Sequence, residues 1–125
     1  MDGTIKAKSR AFAIRIVKLY KILKDERKEF DLSRQMLRSG TSIGANIAES
    51  ECAISDKDFV SKLYISFKEC NETLFWLDIL HETDYLSDHE YDSIRKDAEE
   101  LKKMLSSITK SMDEKIKTQE LGVRS

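Results

Sequence analysis

A chain of 125 residues, 40% of them apolar and 36% charged, can bury one hydrophobic core but not two. Its formal net charge of −1 gives no support for a strongly basic nucleic-acid binder. No apolar run approaches the length needed to cross a bilayer, so no membrane partner is expected. The absence of proline, with abundant Leu, Ile, Lys and Glu, points to helices joined by short turns.

The charge is unevenly placed. Residues 1–38 hold 11 Lys/Arg against 5 Asp/Glu, whereas residues 39–125 hold 11 against 18. The first predicted helix, from about Ile5 to Lys28, is the basic element. Its core stripe is Ile5, Phe12, Ile16, Leu19 and Leu23, at steps that keep one helical face. Ile14, Val17 and Ile22 lie off that stripe, and a helix apolar on more than one side has more than one packing partner. Lys6, Arg10, Lys21, Lys24 and Lys28 fall along one flank beside Val17. They read either as a solvated flank or as a row that tracks a phosphate backbone.

Asp31 reads as the N-cap of a second helix from Leu32 to about Cys52, with Phe30 before it and Gln35 after the first turn. Met36, Ile43, Ile47 and Ile54 form its apolar side. Opposite runs a narrow polar row of Gln35, Ser39, Ser42, Asn46 and Glu49. Gly40, Gly44, Ala45 and Ala48 thin this helix and let a neighbour approach, at a cost of about 1 kcal/mol of helix propensity per glycine. A kink near Gly40–Gly44 is the alternative to a straight helix.

Ser55 and Asp58 resemble a capping box and open a third helix from Asp56 to about His81. Phe59, Leu63, Phe67, Cys70, Leu74 and Leu77 are its core line. A second line, Ile65, Glu69, Glu72, Trp76 and Ile79, sets two acids among apolar residues and suggests a contact surface. Ser87 and Glu90 form a better capping box for a fourth helix, from Asp88 to about Lys117. Its seam, Tyr91, Ile94, Ala98, Leu101, Leu105, Ile108 and Met112, repeats at alternating steps of three and four. Residues 118–125 read as a frayed tail. The expected fold is an all-α, antiparallel up-down-up-down four-helix bundle, a single domain over residues 1–125 with its core at about 5–117.

Few residues invite chemistry. A carboxylate-bridged di-metal site would need a Glu on each of two helices and a Glu-x-x-His pair on each of the others. Only Asp78 and His81 approach that spacing, so no metal, cofactor or catalytic residue is expected. Glu69 and Glu72 are read as structural acids pairing with Arg38, Asn46 or a lysine of a neighbouring subunit; with Glu49 these form a polar cluster that fixes helix register or subunit geometry. Ile14, Val17, Ile65, Trp76 and Ile79 are the expected oligomer contacts. Cys52 and Cys70 lack metal-type spacing and are expected to be reduced and largely buried. The N-terminal MDGTIKAKSR has no apolar signal core, so a cytoplasmic protein is expected.

Two segments carry a resemblance. Arg38-Ser39, followed by Ser42-Ile43-Gly44-Ala45-Asn46-Ile47-Ala48-Glu49, is similar to the signature of the 23S rRNA-intervening-sequence proteins. Lys68-Glu69-Cys70-Asn71-Glu72-Thr73-Leu74-Phe75-Trp76-Leu77 resembles a second motif of that family. The likeness spans about residues 8–115, and departs where Gly44 and Ser50 replace a frequent proline and glycine. It implies a small bacterial four-helix bundle of mostly unassigned molecular role, assembling with copies of itself as a ring-shaped homopentamer; with no catalytic motif found, a non-enzymatic interaction scaffold is expected. A similar fold occurs in the accessory protein of diversity-generating retroelements, a strongly basic relative that binds nucleic acid and a reverse transcriptase. At a net charge of −1 this chain is unlike that relative, and nucleic-acid binding transfers poorly from it; the basic flank of the first helix, Lys6, Arg10, Lys21, Lys24 and Lys28, gives RNA or DNA binding as the alternative expectation to a purely self-associating scaffold.

Overall fold

The computed structural model describes residues 3–124, with side chains from 4 to 122. They form α1 (Gly3–Asp25), α2 (Leu32–Ser50), α3 (Asp56–Glu82) and α4 (Asp88–Arg124). Each helix packs on the next, and α4 returns to α1, while α1 and α3 lie diagonally apart. This is the up-down-up-down bundle. The predicted stripes meet inside it: Ile5, Phe12, Ile16 and Leu23 of α1 face Met36, Ile43 and Ile47 of α2. Leu63, Cys70 and Leu77 of α3 and Ile94, Ala98, Leu101 and Leu105 of α4 complete the core. Burying such a set of large aliphatic side chains, at roughly 1.5–3 kcal/mol each, is the main force holding the helices together.

α2 is continuous through both of its glycines. A methyl group at Gly40 would come within 2.8 Å of the Ile16 side chain, and one at Gly44 within 3.3 Å of the Ser9 carbonyl oxygen. The glycines thus set the close approach of α1 to α2 and introduce no kink. α2 stops at Ser50, where the Cys52 and Ala53 N–H groups donate to the Glu49 and Ser50 carbonyls in a tightened last turn. The expected end at Cys52 was too late, and Ile54, assigned to the apolar side, lies in the following turn at 94% exposure. Cys52 sits in the same turn and is exposed, which corrects the expectation that both thiols are buried.

One capping box, one single-sided cap and one mistaken cap define the turns. The Glu90 N–H donates to the Ser87 hydroxyl and the Ser87 N–H to the Glu90 carboxylate, as expected. Ser55 has extended backbone and accepts from the Asp58 N–H, but Asp58 reaches past it to the Ile54 N–H. Asp31 does not cap α2: its backbone is already helical, and its side chain cannot turn back on the first-turn N–H groups. Glu29 does this instead. Its buried carboxylate accepts from the N–H groups of Asp31, Leu32 and Ser33 at 3.3, 2.9 and 2.6 Å, and its carbonyl accepts from the Ser33 hydroxyl. Burial pushes this carboxyl upward, but the donors from Leu32, Ser33 and Asp31 outweigh it and hold it below its usual range.

α1 ends at Asp25, so Lys28 is not on the helix; it occupies the turn with φ of 56°. α4 continues past Lys117 to Arg124, where fraying was expected, with every side chain from Lys117 to Gly122 exposed. Ser125 lies outside the described residues. Lys57 of α3 pairs with Glu120 at 2.9 Å and Asp56 with Lys115 at 3.6 Å along this last stretch.

Candidate interaction surfaces

The polar residues of α2 and α3 separate into a buried layer and a surface clasp. Ser66 donates its hydroxyl to the Ile43 carbonyl at 2.8 Å, and the Thr73 and Ser39 hydroxyls hydrogen-bond at 2.9 Å, all four residues being buried. Small hydroxyl side chains let α3 lie close on α2 while satisfying one another. Above them, Arg38 reaches across to Glu72 and, at 3.4 Å, to Glu69. The Glu72 carboxylate also accepts from the Trp76 indole N–H at 2.9 Å. Trp76 and Arg38 together hold Glu72 below the ordinary carboxylate range.

Of the predicted polar cluster, Arg38, Glu69 and Glu72 lie in contact. Asn46 does not join it, donating instead to the Ser42 carbonyl of its own helix at 2.9 Å. Glu49 is exposed and also lies apart. Asp78 and His81, the nearest approach to a metal pair, belong to an α3–α4 surface group: the Tyr91 hydroxyl donates to Asp78, while the His81 ring stacks on Tyr91 at 4.2 Å and meets Asp88 at 2.7 Å. Among the described residues no three His, Cys, Asp or Glu side chains are grouped so as to hold a metal ion.

The expected oligomer contacts fall into two separate patches. Ile14, at 42% exposure, and half-buried Val17 lie on α1. Ile65, at 39% exposure, and half-buried Trp76 and Ile79 lie on α3. The diagonal arrangement keeps these patches from meeting within one chain. Phe75 was missed and is the more exposed aromatic of the pair, at 53%, with its ring edge-on to Trp76 at 5.0 Å. Its spacing four residues before Ile79 on the outer side was the available signal.

The basic flank of α1 is partly engaged. Lys6 pairs with Glu51 at 3.1 Å, and Lys24 lies over the Tyr20 ring at 5.5 Å. Arg10 and Lys21 are exposed and, with Lys18, make no ion pair among the described residues. On the α4 side, Lys8 pairs with Glu100 and Arg15 with Asp97. Arg27, which sequence reasoning overlooked, grips Glu90 with two hydrogen bonds of 2.9 and 2.7 Å and donates to the Tyr85 carbonyl. Arg27 first, and then the Ser87 N–H, pull the Glu90 carboxyl down to about 2.

The arrangement defines an all-helical four-helix bundle with exposed apolar residues on α1 and on α3. Residues 1–107 match the family of 23S rRNA-intervening sequence proteins, and the chain belongs to that family. No curated protein matches it. A solved structure of a protein of unknown function from the S23 ribosomal protein family of Bacteroides thetaiotaomicron VPI-5482 is similar, with a TM-score of 0.84 and 55% sequence identity. The match covers 85% of this chain and 98% of that one.

Proposed function

We propose that this protein is a cytoplasmic, non-enzymatic scaffold that works as a homo-oligomer, with the pentamer implied by its sequence resemblance as the expected state. The observation that carries this reading is the exposure of Ile14 on α1 and of Ile65 and Phe75 on α3 in a bundle whose own core is already complete. Exposed apolar groups clustered on a helix face are the ordinary signature of a protein contact. The two free cysteines, one of them at the surface, fit a reducing compartment. Multi-angle light scattering tests the oligomer: a mass several times 14.5 kDa is expected, and a stable 14.5 kDa species at micromolar concentration overturns it.

A second reading, RNA or DNA binding, draws on the unpaired Arg10, Lys18 and Lys21 along α1. It predicts binding to structured RNA fragments that weakens steeply with salt and with Lys21→Glu. Absence of any mobility shift at low salt ends that reading.

A further inference from the structure

We infer that the groove between α1 and α4 binds a small amphipathic anion, an unbranched acyl carboxylate of about eight carbons. Three observations carry this. The first is the groove itself. α1 and α4 are the least closely packed neighbours in the bundle, and between them lies a groove of about 280 Å³. Buried Leu19 and Ile94 and half-buried Ile22 give it an apolar lining, whereas Lys18, His89 and Ser93 stand at its lips. That volume lies at the small end of ligand pockets, which run from about 300 to 1,000 Å³.

The second is length. Arg15 crosses from α1 to Asp97 and Ser93 at one end of the groove, and Arg27 crosses to Glu90 at the other. Roughly 15 Å of α1 separates Arg15 from the helix end at Asp25, so these two straps bound a compartment about ten helical residues long. A partner helix or an extended peptide would have to run out over one strap or the other. A small molecule lies between them.

The third is charge. Arg15 and Asp97 neutralise each other, as do Arg27 and Glu90, and both Glu90 oxygens already accept hydrogen bonds. Lys18 and His89 make no such contact among the described residues. Lys18 therefore leaves one uncompensated positive charge at the lips, and His89 offers an N–H in either tautomer. The Ser93 Oγ accepts from the Arg15 guanidinium at 3.0 Å, which leaves its own proton free to donate. One carboxylate satisfies these donors while its hydrocarbon tail covers Leu19, Ile22 and Ile94.

Calorimetric titration with sodium octanoate tests this. The wild-type chain should bind about one octanoate, with a Kd of about 0.1–1 mM for a ligand of about ten non-hydrogen atoms. Acetate, which lacks the tail, and octanol, which lacks the charge, should each bind at least about tenfold more weakly. Lys18→Glu reverses the lip charge at an exposed position. Its circular dichroism should be unchanged while octanoate binding falls at least about tenfold, and Lys18→Arg should retain binding. Ile22→Ser strips part of the lining and should weaken octanoate without altering acetate. No saturable heat with the wild type, octanol matching octanoate, or undiminished binding to Lys18→Glu overturns the inference. So does a stoichiometry well above one, which marks adsorption on any apolar surface. If Lys18→Glu lowers the mass seen by light scattering, the groove is a contact between copies and no ligand site.

Discussion

The α2–α3 seam and the α1–α4 seam close the same bundle by different physics. Between α2 and α3 the contact is long and close, built on Ser39, Ile43, Ser66 and Thr73, with hydroxyls satisfied inside the interface. Between α1 and α4 the backbones approach far less closely, and much of the polar contact consists of charges: Lys8–Glu100, Arg15–Asp97 and, at the turn end, Arg27–Glu90. The first seam depends on steric fit and the second on ionic conditions. A bundle built this way should open first along α1–α4.

The largest effect should come from filling the close approach of α1 to α2. Gly40→Val places a branched side chain where even its Cβ would be 2.8 Å from Ile16, whose own branching leaves little room to yield. A loss of about 3 kcal/mol is expected, visible in urea melts and insensitive to salt. Next, Arg27→Ala removes the paired hydrogen bonds to Glu90 and the one to the Tyr85 carbonyl, and should cost about 1–2 kcal/mol. Thr73→Val keeps the shape but leaves Ser39 without its cross-helix partner, for about 1 kcal/mol, again independent of salt. Lys8→Ala or Arg15→Ala should each cost below about 1 kcal/mol, because both pairs are exposed. That difference should vanish near 1 M salt, where screening reaches ~3 Å. Equal salt sensitivity of the Thr73 and Arg15 variants would erase the distinction between the seams.

Acid sharpens the same contrast. The Glu90 carboxyl titrates at about 2 in the folded chain against 4.5 as its ordinary value. Because the folded value is the lower one, its contribution is fully present above about 4.5 and is lost as the pH falls toward 2. Glu29, also held low, acts in the same direction at the same end of the molecule. Glu90→Gln should flatten the stability profile across this window, as read by chemical melts at successive pH values.

The bundle was legible in the sequence because the spacing of Ile5, Phe12, Ile16 and of Ile94, Ala98, Leu101 reports which face is buried. The Ser87–Glu90 box was legible because both halves of its geometry are local. What escaped depended on distance or on where a turn begins. Arg27 finds Glu90 only once two turns share one end of the molecule, and no local pattern announces that meeting. Glu29 displaced Asp31 because its longer side chain reaches N–H groups that a residue already in helical backbone cannot. Ile54, Cys52 and Lys28 were misplaced by helix ends set a few residues too late. Glu69 and Glu72 were expected to meet Arg38 and do, yet Phe75 beside them was passed over because its neighbour Trp76 drew the aromatic assignment.

The contrast between the two cysteines has a practical side. Burial pushes the Cys70 thiol up to about 12, and it donates to the Ala98 carbonyl at 3.2 Å, so it has neither the thiolate nor the access that alkylation requires. Cys52 stands in the open turn between α2 and α3. A maleimide dye added to the native chain should therefore attach at one place, and energy transfer between such dyes would report the spacing of neighbouring copies without any engineered residue.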